Sequence, residues 1–255
     1  MAKTPNVNIA KWLRFINKYD TYMSIEDEIL RSRTRNQAWD KTARHGYWTY
    51  KPGERARLAP RFEAFYQQHR AEWRDVLDIG CGTGKFMIPM LQDGLHVVGV
   101  EPSDGMRQSA DNNLRLAGLE GKAILLNGES KKLDLPDESF DLVLAKGSIH
   151  HNTWEDIQQS FREASRVLRK GQYFIFQGRS PKDPALARSV PVEAARHTAQ
   201  DTKGVKQGVV EHYFTKEELE QLAQENGLQI VLGPEEIVRE EKGNARWWVV
   251  YKKAA

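Results

Sequence analysis

Asp78, Gly80, Gly82, Gly84 and Glu101 are the residues of this 255-residue chain whose types and spacing first imply chemistry. They stand in "DVLDIGCGTGKF" (75–86) and "VVGVEPSDGM" (97–106). Glycine at alternate positions lets a ligand come close to the backbone and meet N–H groups at a helix start. Asp78, two residues ahead of the first glycine, would repel a pyrophosphate and welcome an ammonium. Glu101, twenty-one residues after Gly80, can accept both hydroxyl hydrogens of a ribose. Together these residues point to an adenosine-containing cofactor.

Three other readings of the glycines compete. A phosphate-cradling P-loop fails, because Gly80 to Gly84 is one residue short and Phe86 replaces the Ser/Thr that would hold magnesium. A dinucleotide site shares the glycine-then-acid spacing, but its signature is G-x-G-x-x-G, whereas "GCGTG" is G-x-G-x-G. The third is a glycine turn that serves only close packing. Cys81, inside the loop, reads as a small, half-buried neighbour of the ligand rather than a nucleophile. "GSIHHNTW" (147–154) supplies His150 and His151. Either is a candidate general base for a hydroxyl or protonated amine, the alternative being a packed histidine bonded to backbone. Adjacent residues in a turn point differently, so at most one is expected to face a substrate. His45, His197, His212 and Tyr213 lie in segments expected to cover the site. No acid–histidine cluster at ligand spacing is visible, so no metal is expected.

Those side chains need a scaffold. Charged residues form 29% of the chain and hydrophobic ones 40%, a composition that supports a packed core. No apolar run approaches the ~18 residues of a membrane span. The start lacks the apolar centre of a secretory signal, and the single cysteine excludes an intramolecular disulfide framework. A cytoplasmic address is the expectation. The net charge of +3 is uneven: residues 1–70 hold 14 Lys/Arg against 7 Asp/Glu. Such a segment can steer an anionic substrate or RNA, or simply be a solvated helical face.

Strands expected at 75–79, 95–100, 123–126, 140–145 and 172–177 alternate with helices at 84–92, 103–117 and 154–169. Apolar strands alternating with helices imply βαβ crossovers and a parallel sheet covered on both faces. Ahead of them, helices are expected within 8–34 and over 54–70. Residues 178–214, with prolines and little periodicity, read as a partly helical excursion where a lid would sit. Thr215 then caps a helix ending at Gly227, and two last strands near 228–232 and 246–251 lie at one edge. The expected organisation is an N-terminal helical cap (1–70) and a core domain (71–255) carrying 178–214 as a lid-like insertion.

"VLDIGCGTG", "VVGVEPSDGM", "NGESKKLDLPDESFDLVLAKGSIHH" and "FREASRVLRKGQYFIFQG" stand in order over residues 75–178. In these segments the chain closely resembles the class I S-adenosylmethionine-dependent methyltransferases. The resemblance implies a doubly wound, Rossmann-like, seven-stranded, mostly parallel sheet with a final antiparallel hairpin. It implies S-adenosylmethionine as cofactor and S-adenosylhomocysteine as product, with the methionine end against Gly80, Cys81 and Gly82. Asp78 would sit near the amino group and Glu101 on the ribose. Pro102 and Met106 would flank the adenine, and Gly128, Glu129 and Ser130 match the loop that meets its amino group. Tyr47, in "WDKTARHGYW" (39–48), would fold over the cofactor. Lys146 falls where cofactor and substrate meet, at a place where the family usually has a small or apolar residue. The expected reaction is methyl transfer to an O, N or C atom of a small molecule, in line. Two alternatives stand beside it: a tRNA methyltransferase of the wobble-uridine type, and a cofactor-binding module without catalysis.

Overall fold

In the computed structural model, Val76, Leu142, Leu144 and Ile175 join one buried apolar cluster, and Leu77, Ile79, Val143, Ala145, Phe174 and Phe176 join another. This alternation along β1 (Asp75–Ile79), β4 (Phe140–Lys146) and β5 (Leu168–Arg179) is that of strands buried on both faces. The structure describes residues 25–46, 48–193, 195–239 and 243–255. With β2 (His96–Val100), β3 (Ala123–Leu126), β9 (Leu228–Val238) and β10 (Ala245–Lys253), they form a seven-stranded sheet ordered β3-β2-β1-β4-β5-β10-β9. The pairs from β3 to β5 are parallel; β10 runs antiparallel to both β5 and β9. The doubly wound fold with its closing antiparallel hairpin is therefore as expected.

Helices cover both faces. α5 (Trp154–Val167) and α6 (Lys216–Glu225) supply Ile157, Phe161, Ala164, Leu219 and Leu222 to one cluster. Burying a side chain such as Phe161 contributes about 1.5–3 kcal/mol. α2 (Pro60–His69), α3 (Met87–Gln92) and α4 (Asp104–Leu116) supply Phe62, Tyr66, Met87, Ile88 and Leu114 to the other. Thr215 forms the expected capping box: its hydroxyl accepts from Glu218 N–H while Glu218 accepts from Thr215 N–H. α2 begins at Pro60 and not at residue 54, since proline is pre-set for the first turn and disfavours helix in the residue before it.

α1 (Ile25–Arg44) lies over the carboxyl ends of the strands and is tied to α4, where Asp40 accepts from Ser103 Oγ (2.6 Å) and Gly105 N (2.9 Å). The helical spacing of Ile9, Trp12, Leu13 and Ile16 falls outside the described residues. The 178–214 excursion is built differently from its partly helical expectation. Apart from one 3-10 turn at Leu186–Arg188, it forms an antiparallel sheet of β6 (Val190–Glu193), β7 (Thr198–Gln200) and β8 (Val210–His212). Short pieces such as "VPVE" and "VEH" carry β-branched residues but no helical period. β8 is fastened to the core, because His212 N donates to His150 O (2.7 Å) and Phe214 N to Arg179 O (2.9 Å). No helix among the described residues is long and apolar enough to cross a membrane.

Candidate active site

The sheet order reverses between β1 and β4, and at such a switch point the strand ends part to leave a crevice. Here it is a cavity of about 850 Å³, lined by the loops after β1, β2, β3 and β4, the ends of β5 and β10, and α1. Gly80, Cys81, Gly82, Glu101, Pro102, Met106, Gly128, Glu129, Ser130, Lys146, His150 and His151 all line it. Asp78 is buried immediately behind the glycine loop. Tyr47 lies outside the described residues.

The three loop glycines all have positive φ, +69°, +55° and +73°, but they do different things. A Cβ on Gly80 would stand 2.2 Å from Ser148 Cβ, and one on Gly84 3.3 Å from Ala110 Cβ. Both positions are glycine because the protein packs there. A Cβ on Gly82 would meet nothing within 4 Å, so this is the glycine whose bare face opens on the cavity. Cys81 is buried, and a Cβ on Gly99 would stand 2.7 Å from its sulfur. Burial pushes its thiol up, the opposite of what a nucleophile needs.

Two buried carboxylates belong to this loop region: Glu101 contacts Gly82, and Asp78 sits near the end of β1, just ahead of the loop. Glu101 is buried, its Oε2 accepting from Gly82 N (3.1 Å) and its Oε1 from Ser103 N (2.9 Å). Burial raises its pKa against those two bonds. Each oxygen keeps a further lone pair for a ligand hydroxyl. Asp78 is buried with no hydrogen bond to its carboxylate among the described residues. Burial pushes it up to about 7, with Glu101 adding to the rise and Lys146 opposing it. A buried carboxylate without a donor is a seat for an ammonium. An open glycine face between that seat and a ribose-type acceptor fits the cofactor that the sequence implies.

The far wall is partly committed to holding α1. Glu129 pairs with Arg35 (2.9 Å) and accepts from Ser32. Burial would raise its pKa, but Arg35, Ser32 and Lys131 hold it below the usual carboxylate range. Ser130 Oγ lies 2.8 Å from Ser160 Oγ. Trp39 and Trp48 both line the cavity, Trp48 with Nε1 donating to Glu54 (3.0 Å).

Sequence reasoning put His150 and His151 at the mouth of the site and expected at most one to face a substrate; both line the cavity. The turn closed by His151 N–H on Ser148 O sets the two rings side by side, centroids 4.0 Å apart. It also missed their partner. Glu211 on β8 is buried, with Oε1 3.2 Å from His151 Nδ1 and 2.9 Å from Lys206 Nζ, and Oε2 3.0 Å from Arg179 Nε. The acid–histidine cluster absent from the sequence spacing is thus assembled by the fold. Ligand atoms of His150, His151 and Glu211 lie within 4.8 Å of one another. Both Glu211 oxygens already face cations, which makes this a neutralised hydrogen-bonding group more than a cation seat. Burial works against its ionisation, yet His151, Lys206 and Arg179 hold it well below the usual range. Burial pushes His151 down to about 4 and His150 well below its ordinary value, so both imidazoles are neutral near pH 7. His150 Nδ1 is buried without a partner among the described residues.

The other covering residues play structural parts. His45 and His197 are exposed, while His212 is wholly buried between Thr198 and Glu218. Tyr213 is wholly buried and donates to Glu211 (3.3 Å). One signal for Arg179 was present: it closes β5, and ligands gather at carboxyl ends of parallel strands.

Residues 77–176 match the family model described as a methyltransferase domain. An uncharacterised methyltransferase of Geobacillus sp. (strain WCH70) is 29% identical over 158 residues, 61% of this chain and 70% of that protein. The 27-O-demethylrifamycin SV methyltransferase of Amycolatopsis mediterranei is 32% identical over 160 residues, 60% of this chain and 53% of that enzyme. The match to another relative, from Geobacillus kaustophilus, likewise spans only about half of its length, at 53%. Among solved structures, a Methanosarcina mazei methyltransferase superposes with a TM-score of 0.64 at 21% identity, covering 78% of this chain and 99% of that one. The Burkholderia thailandensis 1,6-didemethyltoxoflavin-N1-methyltransferase gives 0.59 at 16% identity, covering 100% and 94%. The methyltransferase-domain match over residues 77–176 and the methyltransferase relatives support a class I S-adenosylmethionine-dependent methyltransferase, and the doubly wound sheet with its closing hairpin is the fold of the solved methyltransferase structures it resembles.

Proposed function

We propose that this protein transfers a methyl group from S-adenosylmethionine to a small-molecule acceptor, in line, with His151 as the proton acceptor when the attacking atom is a hydroxyl. One observation carries the reading: the open face of Gly82 and the His150–His151 pair line the same cavity. Bound there, S-adenosylmethionine supplies an electrophilic methyl on its sulfonium. The chain's own residues do the rest. Asp78 meets the amino group, Glu101 takes the ribose hydroxyls on its free lone pairs, and Pro102, Met106 and Gly128 enclose the adenine. Holding donor and acceptor in line supplies much of the rate. Glu211 Oε1, 3.2 Å from His151 Nδ1, favours the tautomer with its proton on that nitrogen, which leaves Nε2 as the proton-accepting atom. The rifamycin relative is named for a small-molecule substrate, which supports a small-molecule acceptor over tRNA.

Labelled S-adenosylmethionine incubated with a cell extract should place label in a small-molecule fraction. Label in tRNA would move the substrate to the RNA alternative, and label nowhere across pH 6–9 would leave a binding module.

Glu101→Ala should weaken S-adenosylhomocysteine binding by about 1–3 kcal/mol, about 5–150-fold in Kd by calorimetry. Unchanged affinity would put the ribose elsewhere. Asp78 gives the binding a pH dependence. Its carboxyl is at about 7 in the free protein, and an adjacent ammonium favours the ionised form, so binding expels a proton below that pH. Affinity should therefore fall as pH drops below about 7, by up to about tenfold per unit, with Lys146 and Glu101 the charges that set the midpoint. Calorimetry in buffers of different ionisation enthalpy would count the protons released, and Asp78→Asn should flatten the profile.

A further inference from the structure

Lys146, at the carboxyl end of β4, has no carboxylate within ion-pair distance among the described residues. Its ammonium lies 4.4 Å from the Phe86 ring centroid and 5.9 Å from that of Trp248. Lys85 and Arg239 line the same cavity, also without a carboxylate partner among the described residues. Arg246, beside them, is engaged by Asp183. Of the other cations lining the cavity, Arg35 is matched by Glu129, Arg55 by Asp93, and Arg179 and Lys206 by Glu211, while Arg57 has no carboxylate partner among the described residues. The unmatched cations that act on one another are Lys146 at the end of β4, Lys85 in the loop after β1 and Arg239 just after β9. Burial, then Arg239 and Lys85, pull Lys146 down to about 8, with Asp78 opposing.

Concentrating like charges in a half-buried wall costs folding energy, and the aromatic faces of Phe86 and Trp248 offset only part of it. A negative group on a ligand offsets the remainder and gains strength from the low local dielectric. We propose that the methyl acceptor is an anion whose carboxylate or phosphate docks against Lys146 between Phe86 and Trp248, with Lys85 and Arg239 beside it. This rests on the methyl-transfer reading above. The anionic group is a handle and not the methylated atom: it anchors the acceptor by the β10 side, and the reacting atom extends toward the histidine pair that follows Lys146 in the chain. Cofactor binding and acceptor recognition then divide the cavity, Asp78 and Glu101 taking a cationic donor and Lys146 taking an anion.

The cofactor carries a carboxylate of its own, so the test is run on protein already saturated with S-adenosylhomocysteine. Inorganic phosphate and benzoate are titrated into that complex by calorimetry, with wild type and Lys146→Met compared. At least one anion should bind the wild-type complex, and Lys146→Met should weaken it about tenfold or more while keeping the melting transition, each protein being held saturated with S-adenosylhomocysteine. Phosphate or benzoate preference separates the two kinds of anionic group. The proposal is overturned if neither anion binds, if the variant binds them equally, or if the anions compete with S-adenosylhomocysteine, which would assign Lys146 to the cofactor's own carboxylate. Failure of S-adenosylhomocysteine to bind at all would instead remove the methyl-transfer reading, and the anion titration would then be read on the free protein.

Discussion

Gly82→Val should abolish S-adenosylhomocysteine binding and leave the sheet folded. The Cβ position at Gly82 is open, so the valine methyls would enter the cavity without striking protein. With φ at +55° the substitution costs about 1–2 kcal/mol of backbone strain, against a typical domain stability of about 5–15 kcal/mol. Calorimetry should therefore lose its binding heat while circular dichroism and a cooperative melt persist, and added S-adenosylhomocysteine should no longer raise Tm. Gly80→Val is the contrast. Its Cβ would overlap Ser148, so that change should damage the fold as well as the site. A Gly82→Val protein that binds like wild type would show that the cofactor tail does not lie against this loop.

His151→Ala should lower the methyl-transfer rate about 10²–10⁴-fold for a hydroxyl acceptor, the usual worth of a positioned general base. His150→Ala should change it only a few-fold. The difference follows from the nearby charge: Glu211 Oε1 lies 3.2 Å from His151 Nδ1, whereas no carboxylate lies within ion-pair distance of His150 among the described residues. Glu211→Gln keeps the shape and removes the charge, and as a positioning change it should lower kcat while leaving S-adenosylhomocysteine affinity alone. Equal rates in both histidine variants would assign catalysis to proximity, with the proton lost to water. Because burial holds His151 at about 4, its protonation should not limit the rate between pH 5 and 8. Loss of affinity on acidification in that range then reports the two buried carboxylates, Asp78 and Glu101, and Asp78→Asn separates their shares.

Both predictions use distinctions that the sequence did not contain. The glycine loop was legible, but which glycine faces the ligand was not. Ser148 and Ala110 decide that, and both arrive from other elements. The histidines were legible as a pair, but Glu211 stands sixty residues further on, in a strand read as part of a loosely helical excursion. Glu129 matched the family loop by position, yet the fold spends its charge on Arg35 and Ser32 of α1.

By itself the sequence determined the layered sheet, the order of its elements, the loop that opens at the switch point and the acid that follows it. These are properties of short windows: alternating burial sets a strand, and capping residues set a helix end. Only the tertiary structure decided which groups share a low-dielectric space. Lys146 gathers unneutralised cations, Asp78 is buried without a donor, and Glu211 meets His151, Lys206 and Arg179 across strand ends. Apolar periodicity repeats locally and can be read along a chain. Charge pairing acts through space, falls off over a few ångströms, and is fixed by whichever distant segments the sheet order brings together.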